Sequence, residues 1–170
     1  MKQIPNLFTL LNLLFGCLAI VFLLTDGMVL VPTAEGTVYF DLPASIGLAS
    51  LFIALAAVVD FFDGMLARLF KADSAMGREL DSLADMVSFG VLPSFILLYL
   101  VESSCGDACL VGIGGFYKPF LVFSLALMSA YRLAKFNVDT RQSDQFIGVP
   151  TPANGLLVAS LPLILHFQPE

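Results

Sequence analysis

Charge is scarce in this sequence. Asp, Glu, Lys and Arg make up 13% of its 170 residues, while 58% are hydrophobic. A soluble domain carries about a quarter charged residues. With its apolar residues gathered in long runs, the chain reads as an integral membrane protein, one domain over 1–170, whose core is a bundle interior. Basic residues are scarcer still, eight Lys and Arg against 14 Asp and Glu, for a formal net charge of −6. Nucleic-acid binding needs a basic face, so no nucleic-acid partner is expected. Histidine occurs once, at His166, and cysteine three times. Cys105 and Cys109 share the loop ESSCGDACLVGIGG with no His nearby, which makes a poor zinc site. A disulfide between them stays open if that loop faces an oxidising compartment. Cys17, inside the first apolar run, reads as a packing residue. There is no internal repeat, no low-complexity segment and no coiled-coil heptad.

What the chain does have is five apolar runs. Leu7 to Leu24 is uncharged and long enough to span a bilayer. A signal peptide would have a shorter apolar region and a small-residue cleavage site after it. Asn6, Thr9 and Asn12 recur three apart on one face of this run, a pattern suited to hydrogen bonding between helices. Residues 25–44 form a polar connection without Lys or Arg. Ile46 to Val59 follows and continues as helix through Phe61, Phe62, Met65 and Leu66. The third run is Met86 to Val101, then a Gly- and Ser-rich connection from Glu102 to Lys118. The fourth is Phe120 to Leu133, followed by a basic link from Arg132 to Pro150. The fifth is Ala153 to Phe167, with Pro150-Thr151-Pro152 as a stiff helix start. The expected fold is an all-α polytopic transmembrane bundle. Seven of the eight basic residues (Lys2, Arg68, Lys71, Arg78, Arg132, Lys135 and Arg141) fall on one side of these spans, and Lys118 on the other. Basic loops stay in the cytoplasm. The expected location is therefore the cell (inner) membrane, with the N-terminus, the link after the second run and the link after the fourth all cytoplasmic.

The costliest residues lie between the second and third runs. The stretch DFFDGMLARLFKADSAMGRELDSLAD carries Asp60 and Asp63, then Asp81 and Asp85. Residues three or four apart share a helix face. Asp60, Asp63, Gly64 and Ala67 therefore share one, with Arg68 at its edge, and Gly77, Asp81 and Asp85 share another. A short link makes the two helices antiparallel and adjacent. Facing each other, they gather four carboxylates over a surface that two glycines and an alanine leave without bulk. Four such anions do not coexist without cations, and Arg68 and Arg78 neutralise two at most. An all-oxygen donor set favours Mg²⁺, Mn²⁺ or Ca²⁺. Mg²⁺ usually shares its shell with substrate phosphate, and Arg68 is placed to hold a phosphate oxygen. The remaining acids of the stretch, Asp73 and Glu79, read as solvated helix-end residues. A metal-ion transporter is the rival function, but its acids should recur across several spans at mid-membrane depth.

The spacing Asp60-x2-Asp63-Gly64-x2-Ala67-Arg68-x8-Gly77-x3-Asp81-x3-Asp85 resembles in full the signature of the CDP-alcohol phosphotransferase family. The segments IPNLFTLLNLLFGCLAI, ELDSLADMVSFGVLP, YRLAKFN and FIGVPTPANG are similar to members that use serine as acceptor. The resemblance implies a membrane enzyme of phospholipid biosynthesis, usually a homodimer, that moves a phosphatidyl group from CDP-diacylglycerol to L-serine and releases CMP. It implies Mg²⁺ or Mn²⁺ on Asp60, Asp63 and Asp81. Asp85 would serve as the base and also touch metal. Gly64, Ala67, Arg68 and Gly77 would line the cytidine diphosphate pocket. Glycerol 3-phosphate or inositol is the alternative acceptor, since the aspartate signature is common to all. Arg132 and Lys135, three apart at the cytoplasmic end of the fourth run, could hold the serine carboxylate or the lipid-side phosphate, or simply anchor the helix end. Phe146, Gly148, Pro150 and Pro152 read as shaping the loop. The family fold has six or more helices, so with five spans the chain is expected to be incomplete at its C-terminus.

Overall fold

The computed structural model describes residues 4–25, 30–32, 38–40, 44–69, 74–105, 113–138 and 148–167. Helix α1 is Ile4–Thr25, α2 Ala44–Leu69 and α3 Ala75–Asp85. A π-helical segment, Met86–Val91, joins α3 to α4, Leu92–Cys105, and α5 (Ile113–Val138) and α6 (Thr151–Phe167) follow. All five expected runs are helical, and the third is one rod in which α3, the π segment and α4 run on without a break. Four helices are long and apolar enough to cross a membrane, over Asn6–Thr25, Ser45–Leu66, Ala75–Val101 and Tyr117–Val138, with a shorter apolar helix at Thr151–Leu165. The polar connection after α1 contains a feature that was not foreseen. Leu30–Pro32 (β1) pairs antiparallel with Val38–Phe40 (β2), with Val31 opposite Tyr39.

Helix α1 packs most extensively on α2. Ala19 and Leu23 of α1 meet Ile46, Ala49, Ile53 and Ala56 of α2 in the core. Small residues let the two backbones approach where no aqueous driving force is at work. Phe52 is caught between Phe15, at a ring-centroid distance of 5.9 Å, and Phe22, stacked at 5.5 Å. Ser50 and Ser94 sit in apolar surroundings by bonding their hydroxyls back to the carbonyls of Ile46 and Gly90, which meets their polarity within the helix. Large exposed side chains such as Leu7, Leu51, Leu121 and Leu127 lie on the outside, as befits surfaces turned to lipid. Cys17, expected inside, is exposed on α1. It lies next to Gly16, whose side of the helix is the one in contact.

Short side chains set the start of α3. Ser74 has extended backbone (φ −130°, ψ 147°) and accepts the Gly77 N–H on its hydroxyl at 2.9 Å. This is an N-cap that satisfies one of the helix's free donors. At the other end the helix widens: the Leu92 N–H bonds to the Val87 carbonyl, five residues back, and such π turns cluster at functional sites. The segment is the junction of the bundle. Ser88, Phe89 and Gly90 are all buried, and each meets a different helix through a glycine. Ser88 lies against Gly16 of α1 and Phe89 against Gly155 of α6, while Gly90 itself lies against Ser129 of α5.

A Cβ on Gly155 would stand 3.0 Å from the Phe89 ring and 3.1 Å from its Cα, whereas one on Gly47 of α2 would meet nothing within 4 Å. Gly155→Leu is therefore expected to destabilise the bundle by about 1–3 kcal/mol through overpacking. Gly47→Ala is expected to be neutral or to stabilise by about 0.5–1 kcal/mol. Thermal unfolding of the two purified variants in detergent checks both directions.

Candidate active site

The acids lie where three elements converge. Asp60 and Asp63 occupy the cytoplasm-directed part of α2 anticipated from the basic loops, one turn apart. Asp81 and Asp85 are one turn apart on α3, and Asp85 is its last residue before the π segment. One carboxylate oxygen from each of Asp60, Asp81 and Asp85 lies within 4.8 Å of the other two. Asp85 is buried and Asp60 and Asp81 are half-buried. Asp63 is buried too, but its carboxylate is outside this group and accepts a hydrogen bond from the Thr9 hydroxyl. The structure thus brings three of the four aspartates together and holds the fourth one turn away.

Direct facing of the two acid-bearing helices was the expectation, and the arrangement differs. Among the described residues α3 packs against α1, α5 and the π segment rather than on α2. Helix α1 is the shared wall, and the carboxylates reach across a gap between the other two. Clustered anions favour such separation, because backbones in contact would press like charges closer. The wall is polar where it meets them. Thr9 donates to Asp63, and the Asn12 amide donates from Nδ2 to Asp85 Oδ1 at 3.3 Å. Asn6, a turn earlier, has its Oδ1 3.2 Å from where a Cβ on Gly77 would stand. The stripe of Asn6, Thr9 and Asn12 was legible as a hydrogen-bonding face. Only the fold identifies the aspartates as its partners.

The glycines of the signature behave differently from each other. A Cβ at Gly64 would meet nothing within 4 Å, whereas one at Gly77 would stand 3.0 Å from the Ser74 hydroxyl. Gly64 therefore borders open space, and Gly77 is needed for close packing at the α3 cap. The side chains of Ala67 and Arg68 lie outside the described residues, as do those of Cys105, Cys109, Phe146 and His166. Arg132, half-buried near the end of α5, has Nη2 4.0 Å from the position of a Cβ on Gly148, which adopts φ +101° in the link before α6. At that φ a side chain is strained. Lys135 is exposed. Asn137 donates from Nδ2 to the Ser82 hydroxyl at 2.9 Å, tying the end of α5 to α3 beside Asp81. Neither residue stood out in the sequence, since isolated Asn and Ser carry no periodic signal.

The donor set fits a hard divalent cation. It consists of carboxylate oxygens, and no nitrogen or sulfur ligand joins the group among the described residues. Three carboxylates this close need a positive charge between them, and oxygen-only shells suit Mg²⁺, Mn²⁺ or Ca²⁺.

Comparison with known proteins agrees with this geometry. The family model described as CDP-alcohol phosphatidyltransferase matches residues 2–168. A "CDP-diacylglycerol--serine O-phosphatidyltransferase" of Bacillus subtilis (strain 168) is 35% identical over 165 residues, covering 95% of this chain and 76% of that protein. One of the same name from Helicobacter pylori (strain J99) is 35% identical over 156 residues, 91% of this chain and 54% of its own length. A third, from Saccharomyces cerevisiae, is 37% identical over 122 residues, 66% of this chain and 40% of its length. The chain thus spans about half the length of the Helicobacter relative.

Mn²⁺ titration followed by electron paramagnetic resonance tests the ion site directly. Asp60→Asn and Asp81→Asn are each expected to weaken binding by about 10–100-fold, the scale seen when a group supporting a metal site is lost. Glu79→Gln, an exposed residue on the same helix as Asp81, is expected to leave the affinity unchanged.

Proposed function

The chain belongs to the CDP-alcohol phosphatidyltransferase family, and from that premise we propose that it transfers the phosphatidyl group of CDP-diacylglycerol to the hydroxyl of L-serine. The products are phosphatidylserine and CMP. The observation that carries this reading is the meeting of Asp60, Asp81 and Asp85 at the inner edge of an apolar helical bundle. There a lipid-borne pyrophosphate and a small soluble alcohol can share one ion. The names of the relatives support serine as the acceptor.

In this reading Asp60, Asp81 and Asp85 hold the divalent cation, with Asp63 beside them as the fourth carboxylate of the site. Such an ion, Mg²⁺ or Mn²⁺, offsets the charge of the pyrophosphate and of the departing CMP. The rest falls to the protein. Asp85 is the most enclosed member of the group, and it takes the proton of the serine hydroxyl as the oxygen attacks phosphorus. One phosphorus–oxygen bond forms to serine and one breaks to CMP, so the phosphatidyl group changes partner without other covalent change. Gly64 leaves room beside Asp63 for the nucleotide diphosphate, and Gly77, Ala67 and Arg68 complete that pocket. Arg132 and Lys135 face the acceptor, with Arg132 fixed near the Gly148 turn. The site opens to the cytoplasm, where the acceptor and CMP are dissolved, and the chain works as a homodimer.

Membranes containing the full chain, supplied with CDP-diacylglycerol, Mn²⁺ or Mg²⁺ and labelled serine, are expected to release CMP and form labelled phosphatidylserine. Chelation of the metal should stop both. Release of CMP with glycerol 3-phosphate or inositol, but not with serine, would overturn the acceptor assignment. Asp85→Asn is expected to lower kcat by about 100-fold or more, the scale of general-base catalysis, while Mn²⁺ still binds. Arg132→Ala and Lys135→Ala are expected to raise KM for serine. If neither changes the KM of serine or of CDP-diacylglycerol, these residues have no part in substrate binding.

A further inference from the structure

We propose that Asn12 is a positioning residue for Asp85, fixing which of its two oxygens is free to act; this rests on the function proposed above. Asn12 is fully buried on α1 and donates its amide N–H to Asp85 Oδ1 at 3.3 Å. Its own carbonyl oxygen, Oδ1, has no hydrogen-bond partner among the described residues. A buried acceptor left unpaired costs free energy, and such groups in native structures call for an explanation. The two ends of one amide share a carbon, so the unpaired oxygen is beside the same carboxylate. Turned over, the amide would present that oxygen to Asp85 and repel it. The observed orientation therefore serves the carboxylate rather than the amide.

The backbone carrying Asn12 is pinned as well. Ser88, three residues after Asp85 in the π segment, donates its hydroxyl to the Asn12 carbonyl at 3.1 Å. One turn along α1, a Cβ on Gly16 would stand 2.4 Å from that same Ser88 oxygen. Glycine there lets α1 lie close enough for the Ser88 bond, and the bond sets the height of Asn12 against Asp85. The chain of contacts runs Gly16, Ser88, Asn12, Asp85. It occupies one oxygen of the carboxylate and leaves Oδ2 for the group formed with Asp60 and Asp81. Interhelical hydrogen bonding alone would not require the amide to leave its own carbonyl unmet.

Asn12→Leu keeps the volume while removing both the donor and the unpaired acceptor. Asn12→Asp keeps the shape while removing the donor. In the full-length protein, both variants are expected to fold, with a thermal midpoint for the leucine variant equal to or above the wild type. Both should lower kcat by about 10-fold or more, with KM for CDP-diacylglycerol and serine within about twofold, since only a transition-state interaction is lost. The electron paramagnetic resonance spectrum of bound Mn²⁺ should change in both, because one carboxylate is reoriented. Unchanged kcat, a loss carried by KM, or a wild-type Mn²⁺ spectrum in the variants would each overturn the proposal. Absence of CMP release by the wild-type protein would instead overturn the proposed function, and the Mn²⁺ spectra would still decide the role of Asn12.

Discussion

Repulsion between carboxylates is the constraint that shapes this molecule. Like charges a few ångströms apart repel more strongly as water is withdrawn, and here three carboxylate oxygens lie within 4.8 Å of one another in a bundle otherwise built of apolar side chains. The neighbourhood answers in three ways. Helices α2 and α3 stay apart and share α1 as a wall, so the acids meet only at their tips. Donors on α1 take up oxygens of Asp63 and Asp85. What remains is a pocket of negative charge that a divalent cation completes.

The same constraint explains why α1, a helix with no ionisable side chain between Leu7 and Leu24, matters to the chemistry. Its inner face combines small residues and single polar groups. Ala19 and Gly16 bring its backbone against α2 and the π segment, and Thr9 and Asn12 then stand at the right depth to meet the carboxylates. Close packing and polar satisfaction are one arrangement here. Moving α1 outward by the width of a methyl group would loosen both.

Much of this was legible from residue order. Long uncharged runs give the helices, because a bilayer leaves the backbone no other way to satisfy its polar groups. Aspartates at helical spacing give the two acid-bearing faces. The part that was not legible depends on features that periodicity cannot register. A π turn leaves a run of apolar residues such as Met86 to Val101 looking like any other span. The use of α1 as a wall depends on which helices pack, and spacing within one helix is silent on that. The diversion of Asp63 to Thr9 arises from two residues 54 positions apart. The strand pair at Leu30–Pro32 and Val38–Phe40 sits in a connection whose composition signalled only polarity. Asn137 and Ser82 each carry no pattern of their own, yet they tie α5 to the acid-bearing helix.

The π segment also has a consequence for how the chain tolerates change in length. An α-helix advances by about 100° per residue, so the wider turn at Met86–Val91 shifts the phase of α4 relative to α3. The side of the rod that carries Asp81 and Asp85 therefore does not continue up the membrane as the same side. Below the shift the rod is a polar wall, and above it Leu92 and Ile96 enter the apolar core. Deleting one residue within the segment would act as a rotation: the lower half would keep its acids in place, while the upper half turned its core residues toward lipid. Length in this short segment is thus a form of orientation, and it separates the part of the protein that does chemistry from the part that lives in the bilayer.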